Sequence, residues 1–262
     1  RNMRSILVLA DRGPATEIRL QSALSLARLT GGHVSVMIDT PVTRYMTMDP
    51  QGGSYVATDA LNQALAQDDS LGTEFAARLE REDVPFDVQR SEDEPVDALC
   101  AAARLADVTV LSRSALLCGD VAMSSRTPVL VVRDDAPLTF PLGKAVIAWD
   151  GGDEAALAMR SAVPLLQGCG QVQVLSVREK PGGFPATEAL RYLSRHGIHA
   201  DLVELPREGS IEETLAVNVA KAEAQLLVMG AYGKSRMREF LFGGVTRYFL
   251  EESHEPALLL TH

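Results

Sequence analysis

Two tandem α/β units, each a doubly wound five-stranded parallel sheet, are predicted by three features of this 262-residue sequence. Short, nearly continuous apolar runs alternate with segments whose apolar residues recur at spacings of three and four. That alternation marks parallel strands flanked by helices on both faces. The pattern is written twice: RSILVLAD at 4–11 reappears as GKAVIAWD at 143–150, placing Asp11 and Asp150 139 residues apart. Each half also closes with a strand that begins at proline, at Pro128 and at Pro256.

The elements follow in chain order. Residues 6–10 form an apolar run too short for a signal-peptide core, and it passes directly into Asp11 and Arg12. It reads as a buried first strand. Residues 15–30 have helical periodicity, and His33–Met37 alternates into a second strand. Residues 40–58, with Gly52-Gly53-Ser54, form a long polar insertion expected to be a lid or a mobile loop. Helices are expected at 59–82 and 94–106, then strands at 107–111 and 128–132. The Pro-rich stretch 134–141 is the natural linker between units at 1–138 and 139–262. The second unit repeats the order, with helices at 153–167 and 210–224, the latter opening on a Ser210-x2-Glu213 capping box. Its strands fall at 171–175, 225–229 and 256–260.

Composition narrows the function. The 25 basic and 35 acidic residues leave a net charge of −10, the wrong sign for holding a nucleic-acid backbone. No stretch approaches the ~20 apolar residues of a membrane span. Cys100, Cys118 and Cys169 lack CxxC spacing, which suits reduced thiols in the cytoplasm. The histidines are scattered; His196 and His199 flank a helix-to-strand turn and point only weakly to a metal.

One segment carries phosphate chemistry. The strand ending at Gly230 runs into Gly233-Lys234, then Gly243-Gly244-Val245-Thr246 at the start of a helix. Glycines let backbone amides approach an anion, and a helix N-terminus presents free N–H groups and a positive dipole end. Lys234, Arg236, Arg238 and Arg247 stand against the single acid Glu239, inside a half whose own balance is 12 basic to 15 acidic residues. Turn punctuation and a solvated basic helix face are the plainer explanations of these residues.

The spacing Gly230-x2-Gly233-x9-Gly243 resembles the nucleotide-binding signature of the universal stress protein family, and the resemblance extends over both halves. It implies Rossmann-like sheets of the adenine nucleotide alpha hydrolase type. It also implies ATP, ADP or AMP as ligand, with magnesium as a companion ion of ATP. Gly230, Gly233, Lys234, Gly243, Gly244, Val245 and Thr246 would surround the phosphates. Asp150 would face the ribose or base, and Val177 the adenine. Gly244 departs from the pattern, which has Ser or Thr there; the amide survives the change and a hydroxyl does not, although Thr246 carries one. An Asp at a strand end also commonly caps the next helix, and Trp149 beside it is more simply core.

The first half lacks the motif. Ser112, the counterpart of Gly230, lies 16 residues before Pro128, whereas Gly230 lies 26 before Pro256. This half has 13 basic and 20 acidic residues, with no lysine, and is expected not to bind a nucleotide triphosphate. In the resemblance, the closing strands of two domains pair, here within one chain as a pseudo-dimer, with a further homodimer and an unidentified protein partner also open. The leading expectation is a nucleotide-binding regulatory protein of the stress response. A scaffold that binds no nucleotide comes second and a slow ATPase third.

Overall fold

A computed structural model describes residues 3–178, 184–206, 208–231, 244–251 and 256–262. The first half runs β1 (Ser5–Leu9), α1 (Ala15–Thr30), β2 (His33–Asp39), β3 (Met46–Met48), β4 (Ser54–Val56), α2 (Thr58–Leu79), β5 (Phe86–Ser91), α3 (Pro95–Ala102), β6 (Val108–Ser112), α4 (Cys118–Ser124) and β7 (Val129–Val132). The second runs β8 (Lys144–Ala148), α5 (Asp153–Ala162), β9 (Gln171–Arg178), α6 (Ala186–Arg195), β10 (Ala200–Pro206), α7 (Ile211–Ala222), β11 (Leu226–Gly230), α8 (Gly244–Glu251) and β12 (Ala257–Thr261).

Each half supplies five strands to one ten-stranded sheet, ordered β10-β9-β8-β11-β12-β7-β6-β1-β2-β5. Every pairing is parallel except the central one, where β12 meets β7 antiparallel with Leu259 opposite Leu130. That pairing covers the edge that each half would otherwise expose. Apolar side chains divide between the two faces of the sheet. Leu20, Leu24, Ala158 and Leu193 pack on one face, and Leu99, Val121, Leu215 and Phe249 on the other. Burying each large aliphatic side chain contributes roughly 1.5–3 kcal/mol.

Local chemistry explains where elements begin and stop. The capping box at α7 is formed, with Ser210 Oγ accepting from the Glu213 amide and Glu213 Oε2 from the Ser210 amide, both at 3.1 Å. Helix α5 ends at Ala162, short of the expected 167, because Pro164 has no N–H to return to the preceding turn. Residues 40–58, expected as a lid or a mobile loop, have secondary structure of their own. They form a short 3₁₀ turn and the β3–β4 hairpin, tied by Asp49 Oδ1, which accepts from the amides of Gln51 (2.7 Å) and Gly53 (3.0 Å). Gly52 takes the left-handed φ of 87° that the turn needs. The linker is likewise no free tether. The Leu138 and Phe140 amides each donate to a serine hydroxyl of α1, Ser22 and Ser25, at 2.9 Å, and both side chains are buried.

Candidate functional site

In the second half the strand order reverses direction at β8, between β9 and β11, so a crevice opens beyond their carboxyl ends. Asp150 sits exposed at its mouth. Its Oδ1 accepts from the Gly152 amide at 2.8 Å, closing the turn into α5 through Gly151 at φ 77°. The floor is apolar. Val177 is half-buried, Leu205 pairs beside it in register, and both pack with Ala148 and Ile211 against the same core cluster.

Gly230 closes β11, and its smallness has a specific cause. A Cβ there would lie 2.6–2.8 Å from Glu154 Cβ and from backbone atoms of Glu154 and Ala155. The first turn of α5 therefore requires glycine at this position, whatever a ligand requires. Gly244, Val245 and Thr246 form the first turn of α8, with Gly244 exposed, Val245 half-buried and Thr246 buried. The Glu212 carboxylate lies close to this end, 2.5 Å from where a Gly244 Cβ would stand. Gly233, Lys234 and Gly243 lie outside the described residues.

The fit of a nucleotide can be judged on these features. Half-buried apolar side chains (Ala148, Val177, Leu205), the exposed carboxylate of Asp150 and the N-terminus of α8 are of the chemistry that suits a base, a ribose and phosphates respectively. No group of three His, Cys, Asp or Glu side chains that could hold a metal ion occurs among the described residues. His196 packs against Tyr192 with the ring centroids 4.7 Å apart and the planes tilted by 54°, and Trp149 is core: it is buried on the α5–α6 face and donates its Nε1–H to Phe184 O at 3.2 Å.

Strand register maps this crevice onto its counterpart in the first half. Leu9 pairs with Met37 as Ala148 pairs with Leu175, which sets Asp39 in the place of Val177, Ser91 in that of Leu205 and Ser112 in that of Gly230. Arg19, 2% exposed, stands where the second half has Ala158. Its guanidinium fills the space between the ends of β1 and β6. Nε donates to Leu9 O (2.7 Å), Nη1 to Ser112 Oγ (2.6 Å) and Nη2 to Thr16 Oγ1 (2.8 Å), while Asp11 Oδ2 lies 3.2 Å away. Burial opposes the charge on Asp11, but the Thr16 hydroxyl, the Arg19 guanidinium and the Gly13 amide prevail and hold its carboxyl below the usual range.

Asp39 moves the other way. Burial, with Glu94, Asp93 and Asp68 nearby, outweighs Arg44 and pushes its carboxyl up to about 6. Its Oδ1 is buried without a hydrogen-bond partner. Sequence reasoning did not single out Arg19, Leu205, Ile211 or Glu212. For Arg19 a signal existed, a cation on the apolar stripe of α1 between Thr16 and Ala23. For Glu212 there was none, because its proximity to Gly244 depends on how α7 and α8 pack.

Comparison with known proteins agrees with this architecture. Residues 187–261, from α6 to β12, match the sequence model of the Universal stress protein family. Over almost its whole length the chain is similar in fold to a universal stress protein from Archaeoglobus fulgidus DSM 4304. The TM-score is 0.74 at 14% identity, covering 98% of this chain and 96% of that one. A functionally unknown protein from Pseudomonas aeruginosa PAO1 is also similar, with a TM-score of 0.61 at 16% identity over 99% of this chain and 92% of the other. No curated protein matches the sequence.

Proposed function

We propose that the protein is a two-unit universal stress protein, with units at 1–138 and 139–262, that binds ATP, ADP or AMP through the second unit. Its role is regulatory: the bound nucleotide alters association with a protein partner in a stress response. The observation that supports the reading is that Gly230 closes β11 and Gly244 opens α8, so the sequence spacing Gly230-x2-Gly233-x9-Gly243 falls between the end of that strand and the start of that helix. There, backbone amides and the Lys234 ammonium would hold the phosphates. The ledge of Ala148, Val177 and Leu205 would take the base, and Asp150 the ribose. A few charge-assisted hydrogen bonds at ~1.5–3 kcal/mol each suffice for micromolar retention.

The first unit serves this site as a structural partner in the reading, since Arg19 occupies the corresponding crevice. No helix among the described residues is long and apolar enough to cross a membrane; a cytoplasmic location is part of the proposal. A scaffold that takes no nucleotide is the second reading, favoured by the Glu212 carboxylate beside the α8 start. One experiment separates them. Purified protein is denatured and the released small molecules identified by mass, then repeated with a Gly233→Val/Gly243→Val double variant. Adenine nucleotide from the wild type and none from the variant supports binding. Neither protein carrying nor binding added ATP leaves the scaffold. Phosphate release in magnesium at the buffer rate would dispose of hydrolysis.

A further inference from the structure

The two halves are joined by more than their shared sheet. Arg113 follows Ser112 directly, in the shortened loop of the first half, and is 8% exposed. Its side chain crosses to the other half. Nε donates to Phe249 O at 3.2 Å, and Nη2 to Pro256 O at 2.8 Å. Phe249 lies in the last turn of α8, where carbonyls have no partners within the helix and a cation is favoured by the dipole. Pro256 immediately precedes β12, so one guanidinium ties both the end of α8 and the start of the next strand. Arginine suits the task because its fork presents several donors in fixed geometry. Helix α4 packs against α8 beside this contact, and β7 pairs with β12 beneath it.

At the matched position of the other half the contact is not returned. Ser112 and Gly230 occupy equivalent register positions, so the counterpart of Arg113 is Ala231, whose methyl group carries no donor to send back. Helix α8 has eight residues and is about 12 Å long at 1.5 Å per residue. One end is held by Arg113 and the other is the proposed phosphate end. A helix this short moves as a rigid piece, so its fastening at one terminus sets the aim of the amides at the other.

We propose that Arg113 is a positioning residue for nucleotide binding: the first half, having lost its own phosphate loop, holds the second half's phosphate-binding helix in place. The inference rests on the nucleotide-binding reading above and adds to it a residue from the opposite half.

The test measures ATP and adenosine affinity by calorimetry on the full chain for wild type, Arg113→Met and Arg113→Lys. Methionine keeps much of the apolar volume and removes the donors. It is expected to weaken ATP roughly five- to tenfold while leaving adenosine, which has no phosphate to aim at, within twofold. Lysine keeps a cation at the helix end without the fork and is expected to recover part of the loss. Unchanged ATP affinity in Arg113→Met, or equal losses for ATP and adenosine, would overturn the proposal and leave Arg113 as interface packing. Should the methionine variant fail to fold, two measurements decide in its place. Arg113→Lys is compared with wild type for ATP against adenosine, and hydrogen exchange of wild-type α8 and β12 is followed with and without ATP. Equal affinities and ATP-independent exchange in both elements would count against it. Failure of wild type to bind ATP at all is a distinct outcome, which removes the nucleotide reading and this inference together.

Discussion

The two crevices share a backbone and differ at four corresponding places. Where the second half has Val177, Leu205, Gly230 and Ala158, the first has Asp39, Ser91, Ser112 and Arg19. The second arrangement leaves an apolar ledge of half-buried side chains. The first fills the mouth with a guanidinium whose donors are met by Leu9, Ser112 and Thr16 and whose charge faces Asp11. A duplicated fold therefore does not duplicate a site. Parallel strands always produce a crevice at the switch point, and side chains decide whether it receives a ligand or satisfies itself.

The largest effect expected from this contrast is on stability. Arg19→Met would strand the carbonyl of Leu9 and the hydroxyl of Ser112, and would take the cation from the exposed carboxylate of Asp11. Breaking one side of such a buried network costs about 3 kcal/mol, or a melting temperature lower by roughly 6–10 °C. Calorimetry checks it, and a variant as stable as wild type would mean that the guanidinium is not what holds this crevice together.

Next in size is a transplant in the other direction. Val177→Asp gives the second half the residue that the first half carries at the same register position. A carboxylate on the ledge opposes both base and phosphates, so ATP affinity should fall about tenfold, equivalent to about 1.4 kcal/mol. Titration reads the change, and an unaltered affinity would take Val177 out of the site.

The smallest effect concerns pH. Asp39 has its carboxyl raised to about 6, so the fold disfavours its charged form. Its contribution to stability is fully present below the unfolded value near 4 and is lost as pH rises through about 6. Asp39→Asn should therefore stabilise the chain at pH 8, by roughly 1 kcal/mol after allowing for its partial exposure, and make little difference at pH 4. Thermal melts at the two pH values test the sign. A variant less stable at pH 8 would show that the Arg44 charge outweighs the burial.

Much of this molecule is legible without coordinates. The repeat at 139 residues, the apolar strands and the Pro-initiated closing strands require two matching α/β halves, because hydrophobic periodicity is a local property that burial simply obeys. The glycine spacing before α8 and the deletion in the first half are equally visible, since both are counts along the chain. Local detail was read less well where one residue overrode the pattern, as Pro164 does at the end of α5 and Asp49 does in the hairpin of residues 40–58.

What only the tertiary structure decided are the contacts between residues far apart in sequence. Gly230 reads as a phosphate glycine, yet α5 demands it for its own close approach. Arg19 stands on the apolar stripe of α1, and its partner Ser112 comes from β6, more than 80 residues on. Arg113 closes the end of a helix in the other half, a contact 136 residues away in sequence. Periodicity determines which side of an element is buried. The partner that side meets is set by the order of strands in the sheet, and no local pattern encodes that order.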